Sequence, residues 1–216
     1  MTAQVKHQYK SADGKRLPSV TTICSRFKES GGLLHWANAQ GLAGKTLDEA
    51  RQEATAPGSL AHKMVEADLH GEKFEPGGDP VDIAKAKSAF ASYETWRKHS
   101  NLEFRHTEVS LASAVHKFGG TLDAIGIMGN QLCLVDWKNA NAVYPDNLYQ
   151  LAAYAILWEE NYPDHKLVGG FHLCRFSKEN GDFSHHFYDG LEEEKITFLK
   201  FRELYDRVKL TEKRVR

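Results

Sequence analysis

Two aspartates and a lysine carry the strongest chemical signal in the chain. Residues 121–128 (TLDAIGIM) and 131–138 (QLCLVDWK) are apolar, β-leaning runs joined by Gly129-Asn130. Glycine and asparagine tolerate positive φ, so the pair predicts a two-residue hairpin turn. Such a turn fixes the register and sets Asp123 opposite Asp136, with Thr121 opposite Lys138. Side chains facing each other across paired strands stand roughly 4.5–5.5 Å apart at Cβ, where like charges repel. Lys138, two residues past Asp136, points to the same face. A divalent cation held between the carboxylates is the simplest resolution. Mg2+ or Mn2+ suits hard oxygen ligands, keeps several waters and accepts phosphate. Lys138 could then polarise an attacking water or stabilise charge developing on the phosphate. The alternative is a pair of aspartates satisfied by backbone amides or arginines.

Other residues add weaker signals. Asp-x-Lys alone says little, because Asp164-His-Lys166 and Glu193-Glu-Lys195 share the D/E-x-K pattern. Asp164 precedes a strand, and Glu193 falls in the first turn of a helix, where acids suit the dipole. Glu108 ends a strand before the hairpin and is a further candidate acid. His62 and Glu66, four apart, share a helix face, although a lone helical histidine is as readily a boundary residue as a ligand. Gln150 and Tyr154 can also face one site together, against the alternative of plain helix surface. His185-His186 suggests a zinc pair, but adjacent residues on a strand face opposite ways, so that reading is rejected.

The elements that must position these residues follow from pattern. At 216 residues, with 41% hydrophobic and 26% charged, the chain suits a single soluble domain with one sizeable core. No run approaches the apolar length of a membrane span, and the N-terminus lacks a signal-peptide core, so the cytosol is the expected compartment. Three scattered cysteines, Cys24, Cys133 and Cys174, read as buried thiols, too few for an iron–sulfur cluster or an all-cysteine zinc site. With a net charge of −1, nucleic-acid binding would need a local patch. The basic residues from Arg207 to Arg216 are either a solvated tail or a phosphate-binding arm.

Residues 1–17 are polar, with Asp13-Gly14 marking a short hairpin or loose arm. Pro18-Ser19 starts a helix. Thr46 and Glu49 make a capping box for a helix to about Thr55. Pro57-Gly58-Ser59 is expected to break that helix, with Ser59 capping another that ends at Gly71. Asp79-Pro80 opens a long helix through residue 99. Strands are expected at 102–111, 121–128, 131–137, 167–176 and 183–188, with helices from Pro145 to about Glu160 and at 191–209. The fold class is α/β, a mixed central sheet flanked by helices behind a helical N-terminal part. We expect one domain over 1–216: a mainly helical 1–100, a catalytic αβ core 101–190, and a C-terminal helix and basic tail 191–216.

Gly119-Gly-Thr-Leu-Asp123, Leu134-Val-Asp136-Trp-Lys138 and Gln150-Leu-Ala-Ala-Tyr154 together resemble the PD-(D/E)XK nuclease superfamily, in its RecB-like exonuclease branch, with a restriction-endonuclease-like core. Upstream, Pro18-Ser-Val-Thr-Thr-Ile23 resembles an N-terminal signature of that branch, and Gly58-Ser-Leu-Ala-His62 its helical histidine motif. The resemblance spans roughly residues 17 to 176. It implies Asp123 and Asp136 as metal ligands, His62 as a further ligand and Lys138 as the catalytic lysine. Gln150 and Tyr154 would organise DNA or the site. Two departures stand out: Asn139 occupies a position where many relatives carry Thr or Ser, and the four-cysteine cluster is missing. The expectation is a Mg2+- or Mn2+-dependent deoxyribonuclease, an exonuclease of DNA replication, repair or recombination, bacterial or phage-like. Its partners would be single- or double-stranded DNA and a replication or recombination protein. The rival is a catalytically inactive nucleic-acid-binding module on the same fold, although a binder has no need of facing acids that repel phosphate.

Overall fold

The computed structural model describes residues 8–28, 30–177 and 182–215. Among them, six helices and five strands follow the order α1 (Val20–Arg26), α2 (Gly31–Leu42), α3 (Leu47–His70), α4 (Pro80–Ser100), β1 (Glu103–Ala112), β2 (Gly119–Met128), β3 (Gln131–Asn139), α5 (Pro145–Asn161), β4 (Phe171–Phe176), β5 (Phe183–Tyr188) and α6 (Glu192–Arg214). The strands form one sheet in sequence order. It is mixed: the β3–β4 pair is parallel and the other three are antiparallel. The parallel pair is the one connected through a helix, α5, as such a crossover requires.

Both faces of the sheet are covered. Val20 and Ile23 of α1, Leu151 and Leu157 of α5 and Phe198 of α6 pack with Leu122, Ile125, Leu134 and Leu173 on one side. Ala61 and Val65 of α3 and Ala86, Ala89 and Tyr93 of α4 pack with Ala124, Val135, Trp137 and Phe176 on the other. This is an α/β fold with a sheet between helical layers. No helix among the described residues is long and apolar enough to cross a membrane.

The structure corrects several expected boundaries. Residues 47–70 form one helix that runs straight through Pro57. Tertiary packing overrides the proline penalty there: Pro57 and Gly58 are buried, and Asn139 of β3 donates to the Thr55 carbonyl at 3.4 Å. Gly58 lies so close to β3 that a Cβ would sit 1.7 Å from Asn139 Oδ1. α2 has no counterpart in the sequence reading. Its segment, GGLLHWANAQGL, has neither acids nor a buried residue, so it lacks the amphipathic stripe by which helices are recognised. α6 continues to Arg214, which makes most of the expected basic tail helical. β4 begins at Phe171, after Gly170 adopts φ +76°.

Candidate active site

The hairpin between β2 and β3 turns on Gly129 and Asn130, both at positive φ (57° and 65°). Pairing runs in the expected register from Met128↔Gln131 to Ala124↔Val135. There the ladder stops, one pair short of the two aspartates. The backbone N–H of Trp137 donates to Asp123 Oδ2 at 2.8 Å, a side-chain acceptor beyond the last ladder pair.

The departure has a local cause. Leu122 and Ala124, two apart on one strand, pack into opposite cores, so the alternation of β2 slips at Asp123. Across on β1, Thr107 pairs with Ala124 and Val109 with Leu122. Glu108 lies between those pairs, opposite Asp123, and holds φ +52°. A non-glycine residue in the left-handed region within a strand is a costly conformation that concentrates at functional sites. Glu108 is thus placed beside Asp123, and it is exposed.

Asp136 is fully buried. Lys138 Nζ lies 2.6 Å from its Oδ2, yet neither carboxylate oxygen has a well-directed hydrogen bond among the described residues. Burial pushes the Asp136 carboxyl well above the usual carboxylate range; Lys138 pulls it back, and the Asp123 charge raises it further. For Lys138, burial acts to lower the pKa, but the charges of Asp136 and Asp123 prevail and hold the ammonium above its ordinary value. Lys138 is therefore a cation near pH 7, with a side chain only 15% exposed.

Two helices bring the remaining candidates. His62 on α3 is close enough for its charge to act on Asp136. On α5, Gln150 Nε2 donates to the Tyr154 hydroxyl at 2.6 Å. Tyr154 is buried, and burial together with the charges of Asp136 and Asp123 raises its phenol far above the ordinary value. Gly120 makes room for that ring: a Cβ there would lie 2.8 Å from Tyr154 Cε1. The alternative of plain helix surface is thus overturned for Tyr154. His185 turns away from His186 to meet His172, whose Nδ1 lies 2.8 Å from His185 Nε2.

Among the described residues, no three His, Cys, Asp or Glu side chains are arranged as a ready-made metal cage. The donor set nevertheless fits a hard cation of the Mg2+ type, which is held through one or two carboxylates and completes its shell with water and substrate oxygens. Asp136, buried with both oxygens short of hydrogen bonds, is the group such an ion would satisfy. Asp123 is already half-committed to a backbone amide, part of what the satisfied-aspartate alternative foresaw.

Arg175 was missed in the sequence. It is the register partner of Lys138 across the parallel β3–β4 pair. Its Nε donates to Ser184 Oγ at 2.8 Å and its Nη1 to the Ala140 carbonyl at 3.2 Å, so it pins the turn that follows the lysine. The available signal was an arginine inside an otherwise apolar strand, FHLCRF. Reading it required knowing that β4 lies next to β3.

The sequence matches the PD-(D/E)XK nuclease superfamily over residues 3–213. No curated protein sequence matches it. Similar solved structures include an exonuclease candidate from Eubacterium rectale, with a TM-score of 0.49 and 13% identity, the match covering 69% of this chain and 64% of that one. Another is an alkaline exonuclease from Laribacter hongkongensis, with a TM-score of 0.32 and 13% identity over 73% of this chain and 86% of that one. The superfamily match runs almost end to end and takes in both aspartates, the lysine and the sheet that carries them. The chain belongs to the PD-(D/E)XK nuclease superfamily.

Proposed function

We propose that the protein is a divalent-metal-dependent deoxyribonuclease that hydrolyses phosphodiester bonds, acting as an exonuclease in DNA replication, repair or recombination. The observation that carries this reading is Asp136: a fully buried carboxylate, beside a second carboxylate and a lysine, with no directed hydrogen bond of its own. Such a group adds little stability, since the cost of desolvating a buried carboxylate can exceed what its ion pair with Lys138 returns. Asp123 and Asp136 would hold Mg2+ or Mn2+, with His62 as a further ligand. When bound, such an ion lowers the pKa of water and neutralises charge on a phosphate.

The chain's own residues do the rest. Lys138, kept protonated by the two aspartates, offers a fixed positive charge where negative charge develops on the phosphate, and a preorganised charge in a dry site stabilises a transition state strongly. Burial and the charges of the two aspartates keep the Tyr154 phenol neutral, while the Gln150 bond orients it and its ring sits against Gly120, which closes the α5 side of the site. Arg175 holds the Ala140 carbonyl and so limits how far the lysine's backbone can move.

The test is end-labelled single- and double-stranded DNA incubated with Mg2+, Mn2+ or EDTA. Shortening from the labelled ends with metal, and none with EDTA, is expected. Degradation that continues undiminished in chelator overturns the mechanism, and internal cuts on circular DNA overturn the exonuclease assignment.

A further inference from the structure

Residues 8–17 form a small hairpin tied to the strand that carries Asp123. Asp13-Gly14 makes its turn, with Gly14 at φ +79°. Lys10 and Arg16 are bridge partners, and the Leu17 N–H donates to the Tyr9 carbonyl at 2.8 Å. Three contacts dock this segment on the start of β2. The Gly119 N–H donates to the Pro18 carbonyl at 3.0 Å, Ser19 bridges Gly119, and the Tyr9 hydroxyl lies 2.8 Å from Thr121 Oγ1. The Tyr9 ring covers Gly119 so closely that a Cβ there would approach it to 2.2 Å. Thr121 in turn lies 2.8 Å from Ser110 Oγ of β1. The two glycines of the Gly-Gly-Thr-Leu-Asp motif thus each seat one tyrosine, Tyr9 on Gly119 and Tyr154 on Gly120.

The anchor is close to the acids. Thr121 is two strand residues from Asp123, about 7 Å along the strand. The Glu108 charge also acts on the Tyr9 phenol. Outward, the hairpin exposes Lys10, Lys15 and Arg16. Lys15 pairs with Asp13 at 2.7 Å, whereas neither Lys10 nor Arg16 has an ion-pair partner among the described residues. A chain with a net charge of −1 and acids at its centre has no general attraction for a polyanion. Phosphate affinity must come from local cations, and these two sit on an arm fixed beside the acids.

We infer that the Tyr9–Leu17 hairpin is a clamp for the phosphate backbone of the substrate strand. Lys10 and Arg16 contact phosphates flanking the scissile bond, and Tyr9 fixes the clamp relative to Asp123. The inference rests on the nuclease reading above. Each phosphate neutralised releases counterions and steepens the salt dependence of binding by about 0.7–0.9 in log–log slope.

The experiment measures binding of labelled DNA with Ca2+ across a salt series, and KM and kcat with Mg2+. Lys10→Ala/Arg16→Ala should lower the salt slope by about 1.4–1.8, the sum for two such contacts, and raise KM more than it lowers kcat, with an unchanged melting temperature. Tyr9→Ala should behave like the double variant, and Tyr9→Phe, which keeps the ring on Gly119, should retain the slope. Lys213→Ala/Arg214→Ala, at the far end of α6, is the control and should leave slope and KM as they are. A double variant with unaltered slope and KM, in a wild type that binds and cuts DNA, overturns the clamp alone. So does a larger loss in the α6 control. A wild type that neither binds nor cuts DNA overturns the clamp and the nuclease reading together.

Discussion

The Asp123 carboxylate accepts the backbone N–H of Trp137 at 2.8 Å, beyond the point where the β2–β3 ladder ends. Asp136 and Lys138 flank Trp137, so this bond holds both against the second acid. The two aspartates are unequal in consequence. Asp123 is tied to the fold through a hydrogen bond, whereas Asp136 is buried with the Lys138 ammonium 2.6 Å from its Oδ2.

That inequality separates two substitutions at residue 123. Asparagine keeps an oxygen for the Trp137 N–H, and it removes a like-charge contact with Asp136 whose cross-strand cost is about 0.2–1 kcal/mol. Asp123→Asn should therefore melt within a degree or two of the wild type, or slightly above it, without metal. Alanine leaves the amide without its acceptor, a loss of about 1–3 kcal/mol, and should melt several degrees lower. Both should be inactive. Thermal melts of the three proteins in EDTA check the ordering; an alanine variant as stable as the asparagine one would mean that the bond contributes nothing.

Lys138→Ala tests the cation. Removing one partner of a buried ion pair costs about 3–5 kcal/mol, because the other charge is left uncompensated. The variant should be clearly less stable at pH 8 and inactive towards DNA. Lys166→Ala, in the other Asp-x-Lys sequence, should melt and cleave like the wild type. Cleavage lost at 166 and kept at 138 would reverse the assignment.

The hairpin was legible because its turn chemistry is strict: Gly129-Asn130 admits few alternatives, and the register through Ala124↔Val135 follows from it. What could not be read was where that register stops. Alternation assumes regular strands, and the positive φ of Glu108 together with the slip at Asp123 depends on three strands meeting. Pro57 misled for a related reason, since a local breaker signal carries no information about Asn139 wedged against Gly58. Glu108 was noticed only as one more acid, and its place opposite Asp123 needed the β1–β2 register. Tyr9 and Arg175 were invisible because each joins the site through an element distant in sequence.

The β4–β5 histidines predict a pH response. Burial, then the neighbouring His172 and His186, lowers His185 to about 4, and burial lowers His172. A histidine depressed in the fold binds its proton more readily when unfolded. Its contribution is thus whole above the ordinary value of about 6.5 and is lost as pH falls from there through about 4. His185→Phe, which keeps a ring beside Trp96 (4.9 Å centroid to centroid in the wild type), should show a smaller fall in melting temperature between pH 7 and pH 4. Identical slopes for variant and wild type would dissociate the pair from acid stability.

Gly120→Ala probes the seat of Tyr154. The added Cβ would meet Tyr154 Cε1 at 2.8 Å, Val20 Cγ2 at 3.0 Å and Leu157 Cδ1 at 3.1 Å, all within a close-packed core. Overpacking of this kind costs about 1–3 kcal/mol. The variant should fold with a lower melting temperature, and its activity should fall further than that of Tyr154→Phe, which loses only the hydroxyl. Full activity in Gly120→Ala would separate the tyrosine's position from the chemistry.

Metal binding can be read without any turnover. A ligand that binds only the folded state stabilises it by about 2.7 kcal/mol at a concentration one hundred times its Kd, so Mn2+ should raise the wild-type melting temperature in proportion. Asp136→Asn removes the buried charge that repays the ion, and its melting temperature should not respond to Mn2+. Its metal-free form should be less stable than the wild type at pH 8, because the buried Lys138 ammonium loses the partner 2.6 Å away, so the metal response is read as the shift on adding Mn2+ to each protein. His62→Ala is the finer probe. His62 lies on α3 and its charge reaches Asp136, but the described side chains form no three-ligand cage. As a ligand recruited by the ion, His62 should shift the Mn2+ midpoint to higher concentration and leave the metal-free melt almost unchanged. A midpoint that stays in place would remove His62 from the coordination shell and leave the two aspartates, with water and substrate, as the whole of it.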